Sequence, residues 1–189
     1  MPIILIVTNT PKFLTEAEIE RLFSAIRSPR DLAIFRLAYH RGLRASEVGM
    51  LQLSDYRPNA KRLYVHRLKG SHDGEYLVTA NEARALSAWL KVRGPLPGPL
   101  FPSNRKTGID RRMLDVLMKR YGAAADLPAD KRHFHVLKHS CGTHLLSDRG
   151  LDVAEVQDHL GHADIRNTMI YARITNRRRD EVARRLESW

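Results

Sequence analysis

The apolar positions of this chain recur mostly with the period of an amphipathic helix. Thr15 and Glu18 precede such a run at the spacing of a capping box, which predicts a helix from there to about residue 26. Ser28 and Pro29 predict the start of a second helix, because proline suits the first helical turn, and Gly42 predicts its end. A short third helix is expected at about residues 45–51.

The period then changes to an alternation of two residues. Leu63, Val65 and Arg67 fall on one side of a predicted strand at residues 62–68. A polar turn at residues 69–74 leads to a second predicted strand at 75–78, and residues 51–56 are expected to add a third strand. The pattern therefore predicts one small antiparallel sheet.

The remaining sequence predicts further helices. Thr79 and Glu82 form a second capping box, for a helix to about residue 93, and a loop rich in glycine and proline follows at residues 94–108. Asp110 is expected to begin a helix that ends near Gly122. Helical periods recur at about residues 135–149, 153–160 and 165–172, and again from 176. We therefore predict an α+β fold, mostly α-helical, with a small three-stranded antiparallel sheet.

The overall charge narrows the choice of partner. The 189 residues suffice for one domain, and 32 lysines and arginines against 21 aspartates and glutamates leave a net charge of +11. This excess favours a polyanionic partner, although ribosomal, RNA-binding and membrane-surface proteins share it. The single cysteine excludes an internal disulfide, and the apolar run at residues 3–7 is too short to span a bilayer. We expect a cytoplasmic protein without membrane association.

Several polar side chains stand where the flanking pattern predicts burial or a tight turn. A phosphodiester can be cut without a metal if cations hold its non-bridging oxygens, a hydroxyl attacks in line, and an acid protonates the leaving oxygen. The residues that could supply these groups are Arg44, Lys69, His135, Lys138, His139, His162 and Tyr171.

Each of these residues also has an ordinary structural explanation. An arginine after a helix end, such as Arg44, often caps carbonyls, and a lysine in a hairpin turn, such as Lys69, is usually solvated. His135 and His139 could cap or pack at a helix start, and Tyr171 could be a buried ring with a bonded hydroxyl. Taken singly, the structural explanations are favoured, so only the joint pattern indicates catalysis.

The histidine spacing also suggests a metal site. His135 and His139 lie four residues apart, and His159 and His162 lie three apart. However, no glutamate stands beside His135, as a zinc hydrolase would need, and the lone Cys141 offers little as a ligand. We therefore expect neither a metal nor another cofactor.

At these positions the sequence resembles the tyrosine recombinase (phage integrase) family. The family's second box is similar to HVLKHSCGTHLL at residues 135–146, followed by QDHLGH at 157–162 and TMIY at 168–171. Its first box is similar to GLRASEV at 42–48, and its hairpin lysine motif to HRLKG at 66–70. Separate patches in the right order make this a specific signal. The stretches RASE, HRLK and HSCG look most like the single-domain fimbrial phase-switch invertases.

The resemblance implies a site-specific recombinase that cuts and rejoins DNA without ATP or metal. In the implied site, cations hold the scissile phosphate, histidines bond its oxygens, a lysine protonates the leaving 5′-oxygen, and a tyrosine becomes linked to the 3′-phosphate. These roles fall in turn on Arg44 with Lys138, on His135 with His162, on Lys69 and on Tyr171. His135 is also a candidate acid–base group.

One position departs from the family pattern. Lys138 stands where the family has an arginine, which keeps the positive charge but loses the planar two-pronged grip on a phosphate. Glu47 is expected to be a buried partner that supports Arg44. His139 is assigned to structure, because the next residue along a helix points about a quarter-turn away.

The resemblance also implies partners and an organisation of the chain. Double-stranded DNA is the expected partner. The protein is expected to be a monomer free in solution and to form a homotetramer on synapsed DNA. Accessory DNA-bending proteins are expected as further partners. We expect a tail at residues 1–12, the catalytic domain at 13–175 and a protomer-docking helix at 176–189. In that helix Val182, Leu186 and Trp189 form a narrow apolar stripe.

Two rival functions remain open at this point. A type IB topoisomerase-like enzyme shares the chemistry but relaxes supercoils as a monomer without a preferred site. Alternatively, Lys138 marks a weakened or inactive catalytic site, and the protein acts as a DNA-binding regulator of transcription. The presence of Tyr171, Arg44 and Lys69 argues against this second rival, because a pure binder does not need all three.

Overall fold

The computed structural model describes residues 11–68, 70–172, 184, 186 and 187. It confirms the mostly helical fold with one three-stranded antiparallel sheet. The helices are α1 (Glu16–Ala25), α2 (Pro29–His40), α3 (Ala45–Met50), α4 (Ala80–Arg93), α5 (Arg111–Ala124), α6 (Val136–Ser147), α7 (Val153–Leu160) and α8 (Arg166–Ala172). The strands are β1 (Tyr56–Arg57), β2 (Arg62–Val65) and β3 (Gly74–Leu77), and single 3₁₀ turns lie at Leu53–Asp55 and Ala129–Lys131.

Local capping explains where the helices begin. The Thr15 hydroxyl accepts a hydrogen bond from the Glu18 amide at 3.2 Å, and the Glu18 carboxylate accepts one from the Thr15 amide at 2.8 Å. Thr79 and Glu82 repeat this capping box at α4, and Asp152 begins α7 with another that the sequence pattern did not predict. Each box satisfies amides that have no partner inside the helix.

The sheet is shorter than its sequence pattern predicts. Its order is β1-β2-β3, with Leu63 opposite both Tyr56 and Tyr76. The prediction that β2 reaches residue 68 is wrong, because the Arg67 amide donates to the Asp73 carboxylate at 2.7 Å instead of to a neighbouring strand. The predicted third strand at 51–56 is likewise displaced to Tyr56–Arg57, since a 3₁₀ turn occupies the residues before it.

Two apolar clusters meet along α6. The larger one joins α2, α4, α5 and the sheet, and at its centre the Phe35 ring contacts the edges of Phe134 and Tyr121, with centroids 5.4 and 5.7 Å away. The smaller one joins α6, α7 and α8 through Cys141, Leu146, Val156, Leu160 and Tyr171. Because α6 lies in both clusters, the polar residues at its start are held at the junction of the two.

Three expectations fall on residues that the structure does not describe. Lys69, most of the tail at 1–12 and most of the helix expected from 176 lie outside the described residues. Of that last segment, Arg184, Leu186 and Glu187 are helical and exposed. None of the helices in the described part of the chain combines the length and the hydropathy that crossing a lipid bilayer requires.

Candidate active site

A cavity of about 620 Å³ lies between the starts of α3 and α6 and the side of α5. Cationic and imidazole side chains line it, together with Ser46, Leu68 and Asp115. The basic members of the lining are Arg44, Arg111, Lys119, His133 and His135. A concave surface with this charge attracts an anion such as a phosphate.

Arg44 is aimed by the turn that precedes α3. Gly42 makes this turn at a φ of +55°, and a Cβ there would lie 2.2 Å from a methyl group of Leu160, so the close approach requires glycine. The Arg44 guanidinium donates to the Glu47 carboxylate at 2.7 Å and to the Ser71 hydroxyl at 2.9 Å. These bonds hold its charged end at the cavity wall.

A buried carboxylate supports this arginine from below. Glu47 is fully buried and accepts hydrogen bonds from the Arg44 amide at 2.8 Å and from the Arg67 guanidinium at 3.0 Å. Burial alone opposes ionisation of Glu47, but the Arg44 amide and the charges of Arg67 and Lys138 outweigh it and hold its pKa below the ordinary value. The cluster therefore contains an ionised carboxylate among three cations.

The Glu47→Gln variant tests the strength of this buried cluster. We expect a loss of about 3–5 kcal/mol in unfolding free energy in urea at pH 7, because the buried Arg67 guanidinium and the partly buried Arg44 guanidinium lose their counter-charge. The matched control is Glu75→Gln, which breaks the exposed pair with Arg57 and should cost at most about 1 kcal/mol. Equal losses in the two variants would contradict a structural role for Glu47.

The same carboxylate also sets a pH dependence of stability. The Glu47 pKa is lower in the folded chain than in the unfolded one, so its contribution is present above about pH 4.3 and declines as the pH falls through the folded pKa. The difference in stability between the wild type and Glu47→Gln should therefore shrink in acid.

Lys138 lies beneath the cavity rather than in its lining. The residue is only 2% exposed, and its ammonium group donates to the carbonyls of Gly42 at 2.8 Å and Leu160 at 3.2 Å. Burial lowers its pKa to about 7, and the charges of Arg67 and Arg44 add to this while Glu47 opposes it. Lys138 thus links the turn that carries Arg44 to the turn that precedes His162.

The two candidate phosphate-binding histidines are both neutral at pH 7. His162 is buried, and its Nδ1 lies 2.9 Å from the Thr168 hydroxyl on α8. Desolvation of the ring lowers its pKa to about 3, with the charges of Lys138, Arg44 and Arg67 adding to the effect. His135 has an exposed side chain at the cavity, yet partial desolvation, then Lys138 and Arg44, lower its pKa to about 4.

Tyr171 lies away from the cavity lining, in the smaller apolar cluster. Its side chain is 1% exposed, and burial raises the pKa of the phenol, while Arg44 opposes that shift. The hydroxyl lies 3.2 Å from Nδ1 of His139. His139 in turn contacts His135, with ring centroids 4.4 Å apart, and His135 lines the cavity, so the phenol is buried close to the cationic cavity.

The structure thus brings most of the predicted residues into one neighbourhood. Arg44 and His135 line the cavity, Lys138 and His162 are buried beside it, and Tyr171 is covered on α8. The position of Lys69 lies outside the described residues, although Leu68 lines the cavity and Ser71 bonds Arg44. Ser71, whose hydroxyl bonds the Arg44 guanidinium, also pairs through its backbone with His162, which places His162 beside Arg44.

Sequence reasoning missed several partners in this site. Arg67 bonds Glu47 and backbone carbonyls, and its place on the apolar face of the β2 alternation was the available signal. His139, assigned to structure, touches the Tyr171 hydroxyl, which no spacing within α6 could reveal. Ser71 had no distinguishing pattern in the sequence, and Thr168 was part of the TMIY stretch without a role of its own.

One group of side chains has the composition of a metal site. Ligand atoms of Glu16, His144 and Asp148 lie within 4.8 Å of one another. The His144 Nδ1 is already 2.7 Å from the Tyr39 hydroxyl, and none of the three residues lines the cationic cavity. This group therefore takes no part in the candidate active site.

Comparison with known proteins identifies the family. The model of the phage integrase family matches residues 12–178. The type 1 fimbriae regulatory protein FimB of Escherichia coli is 34% identical over 167 residues, which cover 84% of this chain and 82% of FimB. The tyrosine recombinase XerC of Erythrobacter litoralis is 37% identical over 173 residues, covering 87% of this chain but 56% of XerC.

Solved structures show the same fold. The crystal structure of XerA recombinase matches with a TM-score of 0.80 at 27% identity, covering 94% of this chain and 64% of XerA. The XerH site-specific recombinase bound to palindromic difH substrate matches at 0.78 and 24% identity, over 92% of this chain and 53% of XerH. This chain therefore spans between half and two thirds of these two proteins. Because the family model covers nearly all of it, this chain belongs to the phage integrase family of tyrosine recombinases.

Proposed function

We propose that the chain is a site-specific DNA recombinase that cuts and rejoins DNA through a 3′-phosphotyrosyl intermediate. The observation that carries this proposal is the cationic cavity lined by Arg44 and His135, with the Tyr171 phenol buried close by on α8. Metal-free transesterification requires charge neutralisation and a hydroxyl in line with phosphorus; the cavity supplies the first, and movement of the nearby Tyr171 would supply the second.

The cations of the site would stabilise the phosphate as negative charge develops on it. Arg44 offers a guanidinium already oriented by Glu47 and Ser71. Lys138 uses two of its three ammonium hydrogens on the carbonyls of Gly42 and Leu160, so within the described residues one hydrogen remains for a phosphate oxygen. In this proposal Lys138 both neutralises charge and fixes the two turns that frame the phosphate.

The histidines would add hydrogen bonds without adding charge. His135 and His162 are neutral at pH 7, because partial desolvation and the surrounding cations lower their pKa values to about 4 and 3. A neutral imidazole still donates one N–H, which suits binding to a phosphate oxygen. The Thr168 hydroxyl on α8 contacts His162, so this histidine also touches the helix that carries the nucleophile.

Tyr171 must leave its buried position before it can attack. Burial keeps the phenol protonated and away from the cavity lining, which prevents premature reaction in the DNA-free chain. The carrier helix α8 has only seven residues and is held to α6 and α7 by a small cluster. We infer that DNA binding repositions α8 and presents the hydroxyl to phosphorus.

The leaving 5′-oxygen needs a proton, and we assign this task to Lys69. Its neighbours in the chain support the assignment, since Leu68 lines the cavity and the Ser71 hydroxyl accepts a hydrogen bond from the Arg44 guanidinium. The ammonium group of a lysine can act as a general acid when it is placed beside the leaving group.

The side of α5 offers a surface for the DNA duplex. Arg111 and Lys119 line the cavity, and the neighbouring Arg112 is exposed beside them. With the net charge of +11, these residues favour phosphate contacts, so binding should weaken steeply as salt rises. Because its substrate is DNA, we propose that the protein works in the cytoplasm.

A nicked suicide duplex tests the proposed function. Duplexes from the DNA flanking the gene are nicked just downstream of the cleavage position, so that the short fragment with the new 5′-hydroxyl diffuses away and the protein stays bound to the 3′-phosphate. We expect a protein–DNA adduct on a defined site in the presence of EDTA. Relaxation of supercoiled plasmid by a monomer without a preferred site would instead indicate a topoisomerase, and DNA binding without any adduct would indicate a regulator.

Assembly forms a second part of the proposal. We propose that protomers are monomeric in solution, form a homotetramer on synapsed DNA, and use residues 176–189 to dock, with accessory DNA-bending proteins as further partners. The side chain of Leu186 is 69% exposed, in a predicted stripe with Val182 and Trp189. An exposed apolar side chain on a charged helix is suited to a neighbouring protomer.

Deleting residues 178–189 should separate binding from recombination. We expect single-site DNA binding to be retained in a mobility-shift assay, because the phosphate-binding residues are untouched. Recombination should fall by about tenfold or more, the scale of a lost coupling between protomers. The point variant Leu186→Asp should likewise reduce recombination. Its matched control is Val92→Asp, which should leave recombination unchanged because Val92 is 68% exposed on α4 and should tolerate the charge. Recombination at the wild-type rate after the deletion would refute the docking role.

A further inference from the structure

The nucleophile has a histidine partner that the proposed mechanism leaves without a task. We propose that His139 is the proton acceptor for Tyr171, taking the phenolic proton as the oxygen attacks phosphorus. This inference rests on the proposed recombinase function and adds a catalytic residue to it, because His139 touches the reacting oxygen itself.

The contact is built into α6 and α8. The Tyr171 hydroxyl lies 3.2 Å from His139 Nδ1, with ring centroids 5.8 Å apart. In the neutral tautomer with the proton on Nε2, Nδ1 is an acceptor aimed at this hydroxyl. Gly142 makes room for the phenol, since a Cβ there would lie 2.5 Å from Cε2 of Tyr171.

His139 also lies between the nucleophile and the phosphate cavity. Its ring meets the His135 ring edge-on, with centroids 4.4 Å apart, and His135 lines the cavity. Successive contacts, from Tyr171 to His139 and from His139 to His135, therefore lead from the buried hydroxyl to the cavity. In this inference His139 stays within reach of the hydroxyl during the attack.

The protonation states suit this task. Burial lowers the pKa of His139 to about 4, and the charges of His135, His133 and Lys138 add to the effect, so the ring is neutral and able to accept at pH 7. Burial raises the pKa of Tyr171, so the phenol keeps its proton until an acceptor takes it. A DNA phosphate entering the cavity brings negative charge, which makes His139 a stronger base when it is needed.

The proposed step balances without another reactant. The O–H bond of Tyr171 breaks and its proton moves to His139 Nδ1, while a bond forms between the phenolic oxygen and phosphorus. The bond from phosphorus to the 5′-oxygen breaks, and that oxygen takes a proton from the general acid assigned to Lys69. In rejoining, the His139 imidazolium returns its proton to the departing phenol oxygen.

The first test compares two histidine–tyrosine pairs whose histidines both lie on α6. His139→Asn keeps a hydrogen-bond acceptor near the position of Nδ1 but removes its basicity. The matched control is His144→Asn, because His144 Nδ1 also lies near a tyrosine hydroxyl, that of Tyr39 at 2.7 Å, away from the cavity. In single-turnover adduct formation on a suicide duplex, we expect His139→Asn to slow the reaction by about 10²–10⁴-fold and the control to leave it nearly unchanged.

The second test distinguishes proton transfer from support of the fold. A fluorinated tyrosine with a lower phenol pKa is incorporated at position 171 in the wild type, His139→Asn and a second variant, His139→Gln. Because an acidic phenol needs a base less, the fluorinated residue should speed both variants by about tenfold more than it speeds the wild type. DNA with a bridging sulfur in place of the 5′-oxygen, which leaves without a proton, should not rescue these variants.

The outcomes separate this inference from the proposed function. No adduct with the wild type removes both the function and the role of His139. A normal wild-type adduct overturns the inference alone if His139→Asn reacts at the wild-type rate, or if fluorinated tyrosine changes the wild type and both variants by the same factor. Selective rescue of the two His139 variants supports it.

Discussion

Tyr171→Phe should abolish the covalent protein–DNA adduct while leaving DNA affinity unchanged. The variant removes only the hydroxyl that would attack phosphorus, and the phosphate contacts made by lysine and arginine remain. The phenyl ring still fills the cluster of α6, α7 and α8, so among the described residues the loss is the hydrogen bond to His139, at a cost of about 1 kcal/mol in stability. Adduct formation on a suicide duplex and binding in a mobility-shift assay measure the two effects separately.

The matched control for this variant is Tyr39→Phe. The Tyr39 hydroxyl is likewise bonded to a histidine of α6, His144, but it lies outside the cationic cavity. We expect it to lose a similar amount of stability and to keep the adduct. An adduct that survives Tyr171→Phe would place the nucleophile elsewhere.

Substitutions of Lys138 should give the second large effect. Lys138→Ala removes a buried cation and leaves the carbonyls of Gly42 and Leu160 without their donor, so adduct formation should nearly vanish. Lys138→Arg should speed adduct formation by about one to two orders of magnitude. Two parallel guanidinium bonds to the phosphate would replace one ammonium contact, a gain of about 1–3 kcal/mol in transition-state stabilisation. Lys138 does not line the cavity, so this gain requires the guanidinium to extend past the Gly42 and Leu160 carbonyls into the space beside Arg44.

The rates of adduct formation of the wild type and Lys138→Arg should also depend differently on pH. Burial lowers the pKa of Lys138 to about 7 in the DNA-free chain, so the ammonium group loses its proton as the pH rises through that value. A bound phosphate moves this pKa upward, whereas a guanidinium stays charged throughout. The rate advantage of Lys138→Arg should therefore be smallest near pH 6 and grow toward pH 9.

An inactive site makes the opposite prediction for the same series. If the protein is a DNA-binding regulator with an inactive catalytic site, no adduct forms with the wild type, Lys138→Arg or Lys138→Ala. All three proteins then bind DNA equally well. Thermal melts of the three proteins control for folding, because the Ala variant loses a buried side chain. Any difference in adduct yield among folded variants excludes the regulator.

The parts of the fold that depend on neighbouring residues were predictable from the sequence. Thr15, Ser28, Thr79 and Asp110 all begin helices where their side chains accept from a nearby amide. Such caps act within four residues, so a local pattern contains the needed information. The family resemblance was also predictable, and the match over residues 12–178 confirms it.

Contacts between distant segments were not predictable in this way. The end of β2 is decided by the Asp73 carboxylate, which takes the Arg67 amide across the hairpin. His139 was assigned to structure from its direction relative to Lys138 within α6 alone. That argument could not reveal the contact of His139 with Tyr171 on α8. Motif spacing likewise indicated candidate site residues and left a buried Tyr171 open as an alternative, but it did not indicate that Lys138 is bonded to two turns.

The chemical identity of the protein–DNA bond tests the central claim most directly. The adduct from a suicide duplex is digested with protease and nuclease, and the modified peptide is sequenced by mass spectrometry, while the released strand is tested for a 5′-hydroxyl by kinase labelling. We predict a nucleotide 3′-phosphate esterified to Tyr171 and a free 5′-hydroxyl on the other strand end. A linkage to another residue, or to a 5′-phosphate, would contradict the account.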